Sequence, residues 1–423
     1  MTDPAAELYA RDDAAIALDE KLRFFPLVAE RGEGALLYEP GGRELIDLSA
    51  GWGAAGVGYA HPAVVEAVTR AVSTMPGASV LSGTHGPVVG LAEELLRRTP
   101  VASTDSTVYV GLAGTDANTA VVRGIRAQAP GKKLLAFEES YHGGSGAAQG
   151  VSGIAAEDGR PLAPDVVLVP YPDADAVARA LQEHDVAAVF VEPVMCDGGL
   201  VVPPGGFLRR LRELTTAHGA LLVVDEVKVG MGRTGRLWAY EHDDIRPDVV
   251  TVGKGLGGGL PVSAAVGPRT VLGAEPASSL LTLAGNPVSA AAGQAVLSVV
   301  TAPGFTEEVQ ERGRTLARLL DELQAQRPLV DGVRNLGLVG GVELRTPEGE
   351  PASVETAKVM FRSWELGLVV YCVGPHSNII ELTPSLLITD DQLARGLEIL
   401  GRAIDDVSAG RVPDDAVRDF AGW

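Results

Sequence analysis

The chain has 423 residues, 46% of them hydrophobic, with 52 glycines. That is enough for more than one domain and suits an α/β enzyme with many tight turns. Its formal net charge of −20 argues against nucleic acid and against an anionic membrane surface as partners, because both are met by basic patches. The two cysteines, Cys196 and Cys372, form no disulfide framework and lack metal-site spacing, so no metal is expected. A reducing cytoplasm is the simplest setting. The acidic start "MTDPAAELYARDDAA" has no apolar centre and does not read as a signal peptide. No stretch has the length and apolarity of a bilayer span.

Strands and helices alternate through the middle of the chain. "STVYVGL" reads as a strand, and "GTDANTAVVRGIRAQAP" as a helix ended by Pro130. "KKLLAFEESYHGG", "DVVLVPYP" and "VAAVFVEPV" contain further apolar runs of strand length. "DADAVARALQEHD" and "GGFLRRLRELTTAHGA" lie between runs as amphipathic helices. "LLVVDEV" and "DVVTVGKG" complete the series. This alternation implies a mostly parallel sheet with helices on both faces. After about residue 300 the texture becomes that of a smaller α+β domain. The expected division is a large domain over 61–304, with 1–60 and 305–423 forming the small one.

In open α/β sheets, ligands sit beyond the carboxyl ends of the strands. The polar clusters of this chain fall just after the apolar runs. Lys254 follows a β-rich run between Gly253 and Gly255. Held there as a neutral amine it can form an imine; the plainer reading is a surface lysine in a glycine turn. Gly114 and Thr115 stand at a helix start, which is either an anion site or an ordinary cap. Tyr141 and His142 end a strand, where an aromatic ring can stack on a flat cofactor or merely fill the core. Asp225 ends "LLVVD". Together these groups supply what pyridoxal 5′-phosphate needs: a lysine for the imine, an acid for the ring nitrogen, a stacking ring and a phosphate turn.

The ordered set "GLAGTDAN", "YHG", "EPV", "DEV…GRTG", "GKGLGGGLP" and "TLAGNP" resembles the class III aminotransferase family of fold-type I pyridoxal phosphate enzymes, over almost the whole chain. The resemblance implies Lys254 as the imine-forming lysine and Asp225 as partner of the ring nitrogen. It implies Tyr141 stacked on one ring face and Val227 on the other, with Gly114 and Thr115 at the phosphate. It also implies a homodimer in which Thr282 serves the neighbour's phosphate site.

Two departures narrow the match. Lys228 stands where the family usually has glutamine near the cofactor's phenolic oxygen. Glu381 stands where many members carry an arginine for a substrate carboxylate. With "LYARDDAAIALDEKLRFFPL", "GRELIDLSAGWGAA", "GLVVYCVG" and the terminal "FAGW", these features resemble the α-amino-ε-caprolactam racemases, which invert the α-carbon of a cyclic lactam and related amides. By that resemblance Trp52 lines the substrate pocket and Asp197 faces the substrate. Inversion needs a proton on the opposite face, and Asp197, directly, through water or with Tyr141, is the candidate second acid; the alternatives are an anchor for the lactam N–H or a plain aspartate in a turn. The expected activity is a racemase for a small-molecule amine substrate. The alternatives are an aminotransferase acting on an amine or ω-amino group, and a non-catalytic relative kept for binding.

Overall fold

The computed structural model describes residues 4–156 and 160–420; the last three residues of the terminal "FAGW" lie outside them. The chain forms two compact units. One comprises residues up to 53, 57–61 and 308 onward, and the other 54–56 and 62–307. No single helix among the described residues is long and apolar enough to cross a membrane.

The larger unit is built on seven strands: β1 (Ser106–Gly111), β2 (Lys133–Phe137), β3 (Val166–Val169), β4 (Val186–Val191), β5 (Leu221–Asp225), β6 (Val249–Val252) and β7 (Ser263–Pro268). Their order across the sheet is β1-β7-β6-β5-β4-β2-β3. From β6 through to β3 every neighbouring pair is parallel. Strand β4 is buried at every position and β5 at all but its first, as both-face coverage of a parallel strand requires. The departure from parallel pairing is β7, which runs antiparallel to β6 and β1. Residues 253–262 are too few for a crossover helix, so the chain turns back beside β6.

Helix α1 (Gly114–Gln128) lies on this sheet. Its apolar face, Ala117, Val121, Val122 and Ile125, packs with Ala136, Ala188, Phe190, Val223 and Val249. The order of the strands reverses around β2: the chain steps out to β3, then returns to β4 on the other side. Such a reversal opens a crevice at the carboxyl ends of the strands. The segments after β2, β4, β5 and β6 therefore converge there.

The smaller unit holds two four-stranded sheets. One joins Arg31–Glu33, Leu36–Tyr38, Glu44–Asp47 and Leu368–Val369; the other is an antiparallel set of Val330–Leu336, Val339–Leu344, Ile379–Leu382 and Tyr371–Val373. Helices Ser353–Glu365 and Asp390–Ser408 pack on each other within this unit.

Candidate active site

At the strand ends of the larger unit lies a cavity of about 380 Å³, lined by Gly114, Thr115, Asn118, Tyr141, His142, Glu192, Asp197, Asp225, Val227, Lys228 and Lys254 among others. Nine residues singled out in the sequence thus share one wall-to-wall space, although they come from five separate segments.

Asp225 closes β5 and is 4% exposed. Its Oδ2 accepts from Asn118 Nδ2 at 2.8 Å and lies 2.8 Å from His142 Nδ1, while its Oδ1 accepts from the Val227 amide at 3.0 Å. The carboxyl is thereby fixed at the cavity floor. The next residue, Glu226, points to the opposite face, as strand geometry demands. It takes the Tyr240 amide at 2.9 Å, and burial pushes its carboxyl up to about 8. Of the two adjacent acids, only Asp225 belongs to the cavity. His142 is fully buried. Burial disfavours its charge, but the Asp225 bond and the nearby Glu192 carboxyl outweigh that and raise the imidazole above its ordinary value.

Helix α1 begins at the cavity. Asp116 Oδ2 accepts from the Leu112 and Ala113 amides, both at 2.9 Å. The amides of Gly114 and Thr115 come in the first turn, where no carbonyl of the helix itself can accept them, and an anion is favoured there. A Cβ on Gly114 would stand 2.7 Å from the Val227 side chain, and one on Gly253 would stand 3.3 Å from the Gly114 amide. Both glycines let the walls approach closely enough to make a slot for a flat ring.

Lys254 follows β6 with φ +38° and opens a short turn, Lys254–Gly257. A left-handed φ on a non-glycine residue costs energy, and here it falls on Lys254, one residue beyond Gly253 at the end of β6. Across the cavity, Lys228 Nζ donates to Asp197 Oδ1 at 2.6 Å, with both side chains 5% exposed. Burial pushes the Asp197 carboxyl up, but the charges of Lys228 and Lys254 more than reverse this and hold it below its ordinary value. Tyr141 is raised by burial and by Asp197, and lowered by Lys228. The sequence placed Lys228 beside a phenolic oxygen of the cofactor; the structure gives its ammonium a buried acid as partner.

Three expected residues lie elsewhere. Thr282 is exposed in the turn before helix Pro287–Val300 and does not line the cavity; its carbonyl accepts from Ser79 Oγ at 3.1 Å. Glu381 is buried in the smaller unit, opposite Gly341 and Tyr371 in register. Trp52, also in that unit, sits in a run of four left-handed residues, Ala50 (φ 46°), Gly51 (59°), Trp52 (60°) and Gly53 (81°). Asp47 Oδ1 holds the turn by accepting from the Ser49 amide and hydroxyl, both at 2.7 Å, and from the Ala50 amide at 3.1 Å. The Trp52 ring stacks on Tyr371 with centroids 4.6 Å apart.

The sequence reading missed Asn118 and Glu192. Asn118 lies one turn into α1, where an asparagine looks like an ordinary helix residue. Glu192 stood in "EPV", and its position directly after a fully apolar strand was the available signal.

The cavity fits pyridoxal phosphate on the structure's own terms. A buried acid waits at the floor, a helix start offers amides for a phosphate, a glycine slot is flanked by Val227 and Tyr141, and Lys254 stands at the rim. Such a site on a doubly wound α/β sheet defines a fold-type I, pyridoxal phosphate-dependent enzyme. The sequence profile of the class-III aminotransferases matches residues 17–404. The chain belongs to that family. It is 33% identical to the alanine/serine racemase of Pyrococcus horikoshii, over 96% of this chain and 92% of that protein. It is 40% identical to the acetylornithine aminotransferase of Mycobacterium tuberculosis, over 87% of this chain and 89% of that one. Among solved structures, a transaminase from the marine bacterium Virgibacillus superposes with a TM-score of 0.86 at 27% identity, covering 96% of this chain and all of that one.

Proposed function

We propose that the protein is a pyridoxal phosphate-dependent racemase that inverts the α-carbon of an amino lactam, such as α-amino-ε-caprolactam, or of an amino acid amide. The observation that carries this reading is the pairing of two proton-handling groups in one cavity: Lys254, and Asp197 with its Lys228 partner. Inversion requires a proton to leave one face of a carbon and another to arrive on the opposite face. A transaminase needs only one such group, because it moves a single proton along the same face.

Bound through Lys254, the cofactor supplies an electron sink for charge developing at the carbon beside the substrate amine. The chain's own residues do the rest. Asp225, fixed by Asn118 and His142, would face the ring nitrogen. The Gly114 and Thr115 amides would hold the phosphate, and Tyr141 and Val227 would flank the ring. Lys254 Nζ would take the α-proton on its side. Asp197 carries the proton for the other side and exchanges it with Lys228, whose ammonium is in hydrogen-bond contact. For the opposite enantiomer the two groups exchange roles. The sequence carries Glu381 in place of the arginine that many relatives have for a free carboxylate, and that departure from the family pattern favours a neutral lactam or amide. A substrate series tests this. Given one enantiomer of aminocaprolactam, an amino acid amide and the corresponding free amino acid, without a keto acid, the enzyme should invert the first two and leave the third nearly untouched. Preferred inversion of the free acid would overturn the substrate class.

The second reading is an aminotransferase, favoured by the 40% identity to the mycobacterial enzyme. It requires no role for the Asp197–Lys228 pair in proton transfer.

The enzyme works as a homodimer in which Thr282 of each subunit serves the site of the other. Support comes from exposed apolar side chains around it: Leu280 and Leu283 are 56% and 55% exposed, and Val80 and Leu81 are 39% and 44% exposed. Such clustering is unusual on a surface that faces only water. Sedimentation under assay conditions should give a dimer. Full activity in a monomeric species would contradict it.

A further inference from the structure

Glu192 is the acid of the cavity to which neither the family resemblance nor the mechanism above gives a task. It directly follows β4, and Asp225 closes β5; Val191 pairs with Val224 in register, so the two carboxyl groups end neighbouring parallel strands. Glu192 is 5% exposed, and its Oε2 accepts from the Tyr141 amide at 3.0 Å. The titratable and charged groups facing it come from three sides. His142 and the Tyr141 amide follow β2, Asp197 follows β4 itself, and Asp225 ends β5; Tyr171 donates its hydroxyl to the Glu192 carbonyl at 3.2 Å. Lys228 and Lys254 line the same cavity. His142 therefore stands between two acids. Its Nδ1 is on Asp225, and its Nε2 is buried without a hydrogen-bond partner.

We propose that Glu192 is a positioning residue that, by gaining or losing a proton, sets through His142 and Asp225 how strongly the site holds the cofactor's ring nitrogen in its protonated form. Burial pushes Glu192 up to about 8, with Asp197 and Asp225 adding to the rise and His142 opposing it. At neutral pH it is a neutral acid. As pH rises through about 8 it becomes an anion one strand away from Asp225. That negative charge favours a positive ring nitrogen and the positive form of His142. The site then withdraws charge from the substrate carbon more strongly at the alkaline end of its range.

This role rests on the cofactor assignment and not on racemisation, so the two can fail separately. The test uses the full-length protein stripped of cofactor and loaded with pyridoxine 5′-phosphate, which has the ring and phosphate but no aldehyde to react with Lys254. Its absorbance reports the protonation of the ring nitrogen, and its affinity can be measured across pH. In the wild type, affinity should rise by about tenfold through the step near 8, the equivalent of one unit of proton affinity at a neighbouring group, with the spectrum moving toward the protonated ring. Glu192→Gln keeps the shape of the neutral acid and can still accept from the Tyr141 amide. It should bind the analogue at neutral pH as the wild type does and lose the step. A step that persists in Glu192→Gln, or a wild type that shows none, overturns the proposal. Should Glu192→Gln fail to bind the analogue at neutral pH although it stays folded by circular dichroism, the role is structural and the proposal is overturned as well.

Discussion

Replacing Lys228 with glutamine should lower inversion by about a hundredfold, the low end of what a positioned acid–base group contributes, and reduce amino transfer much less. The reason is the 2.6 Å contact between Lys228 and Asp197 in a region where both side chains are 5% exposed. Without the ammonium, burial dominates the Asp197 carboxyl and its proton affinity climbs. The acid then keeps its proton when it should accept one, and the exchange partner is gone. Stability should fall too. Breaking one side of a buried ion pair costs about 3–5 kcal/mol, reduced here because Lys254 still faces Asp197 and because Asp197 can take up a proton. The sign with pH follows from the depressed wild-type value. Stability from the Asp197–Lys228 pair is present above the unfolded carboxyl value and disappears as pH falls through the lower folded one. In Lys228→Gln that acid-side loss should vanish. The measurements are inversion and pyridoxamine formation from one substrate, and thermal melts across acid pH. An unchanged ratio of inversion to amino transfer, in a folded and cofactor-loaded mutant, would remove Lys228 from the proton path. Asp197→Asn should give the complementary result, with cofactor still bound and inversion lost, because an amide hydrogen-bonds but cannot carry the proton.

Lys254→Ala should have the largest effect, a loss of about 10⁴-fold or more. Removing a general acid–base group alone costs roughly 10²–10⁴-fold, and the covalent tether to the cofactor is lost with it. Alanine occupies the same left-handed position at φ +38° with no more backbone strain than lysine, so the fold should persist. The check is turnover together with the absorbance of the reconstituted protein. Near wild-type turnover would remove Lys254 from the mechanism.

Much of this site was legible in the sequence because parallel strands are written as uninterrupted apolar runs. "LLVVD" and "DVVTVGKG" each end in a charge, and a strand buried on both faces can carry a charge only where it leaves the sheet. Asp225 and Lys254 followed directly from that. The direction of Lys228 did not. Its partner Asp197 is 31 residues earlier in the chain, and the two meet because β4 and β5 are parallel neighbours in a fixed register, which local pattern does not encode. Glu192 escaped notice for the same reason: its meaning comes from Asp225 beside it and His142 across the crevice. Strand β7 was missed because its antiparallel course is set by the shortness of residues 253–262 and not by a distinctive composition. The left-handed turn at Ala50–Gly53 was equally hidden, since only two of its four residues are glycine and its start is held by the Asp47 side chain, which accepts from Ser49 and Ala50.

The central claim is that two groups deliver protons to opposite faces of one carbon. It is tested most directly by supplying a single enantiomer of aminocaprolactam in heavy water, with no keto acid, and following configuration, α-deuterium and keto product together. The account predicts that the inverted product carries deuterium at the α-carbon, that the process runs to an equal mixture of enantiomers, and that keto product stays negligible. Deuterium uptake with full retention of configuration, or stoichiometric keto product with the cofactor left in its amine form, would contradict it.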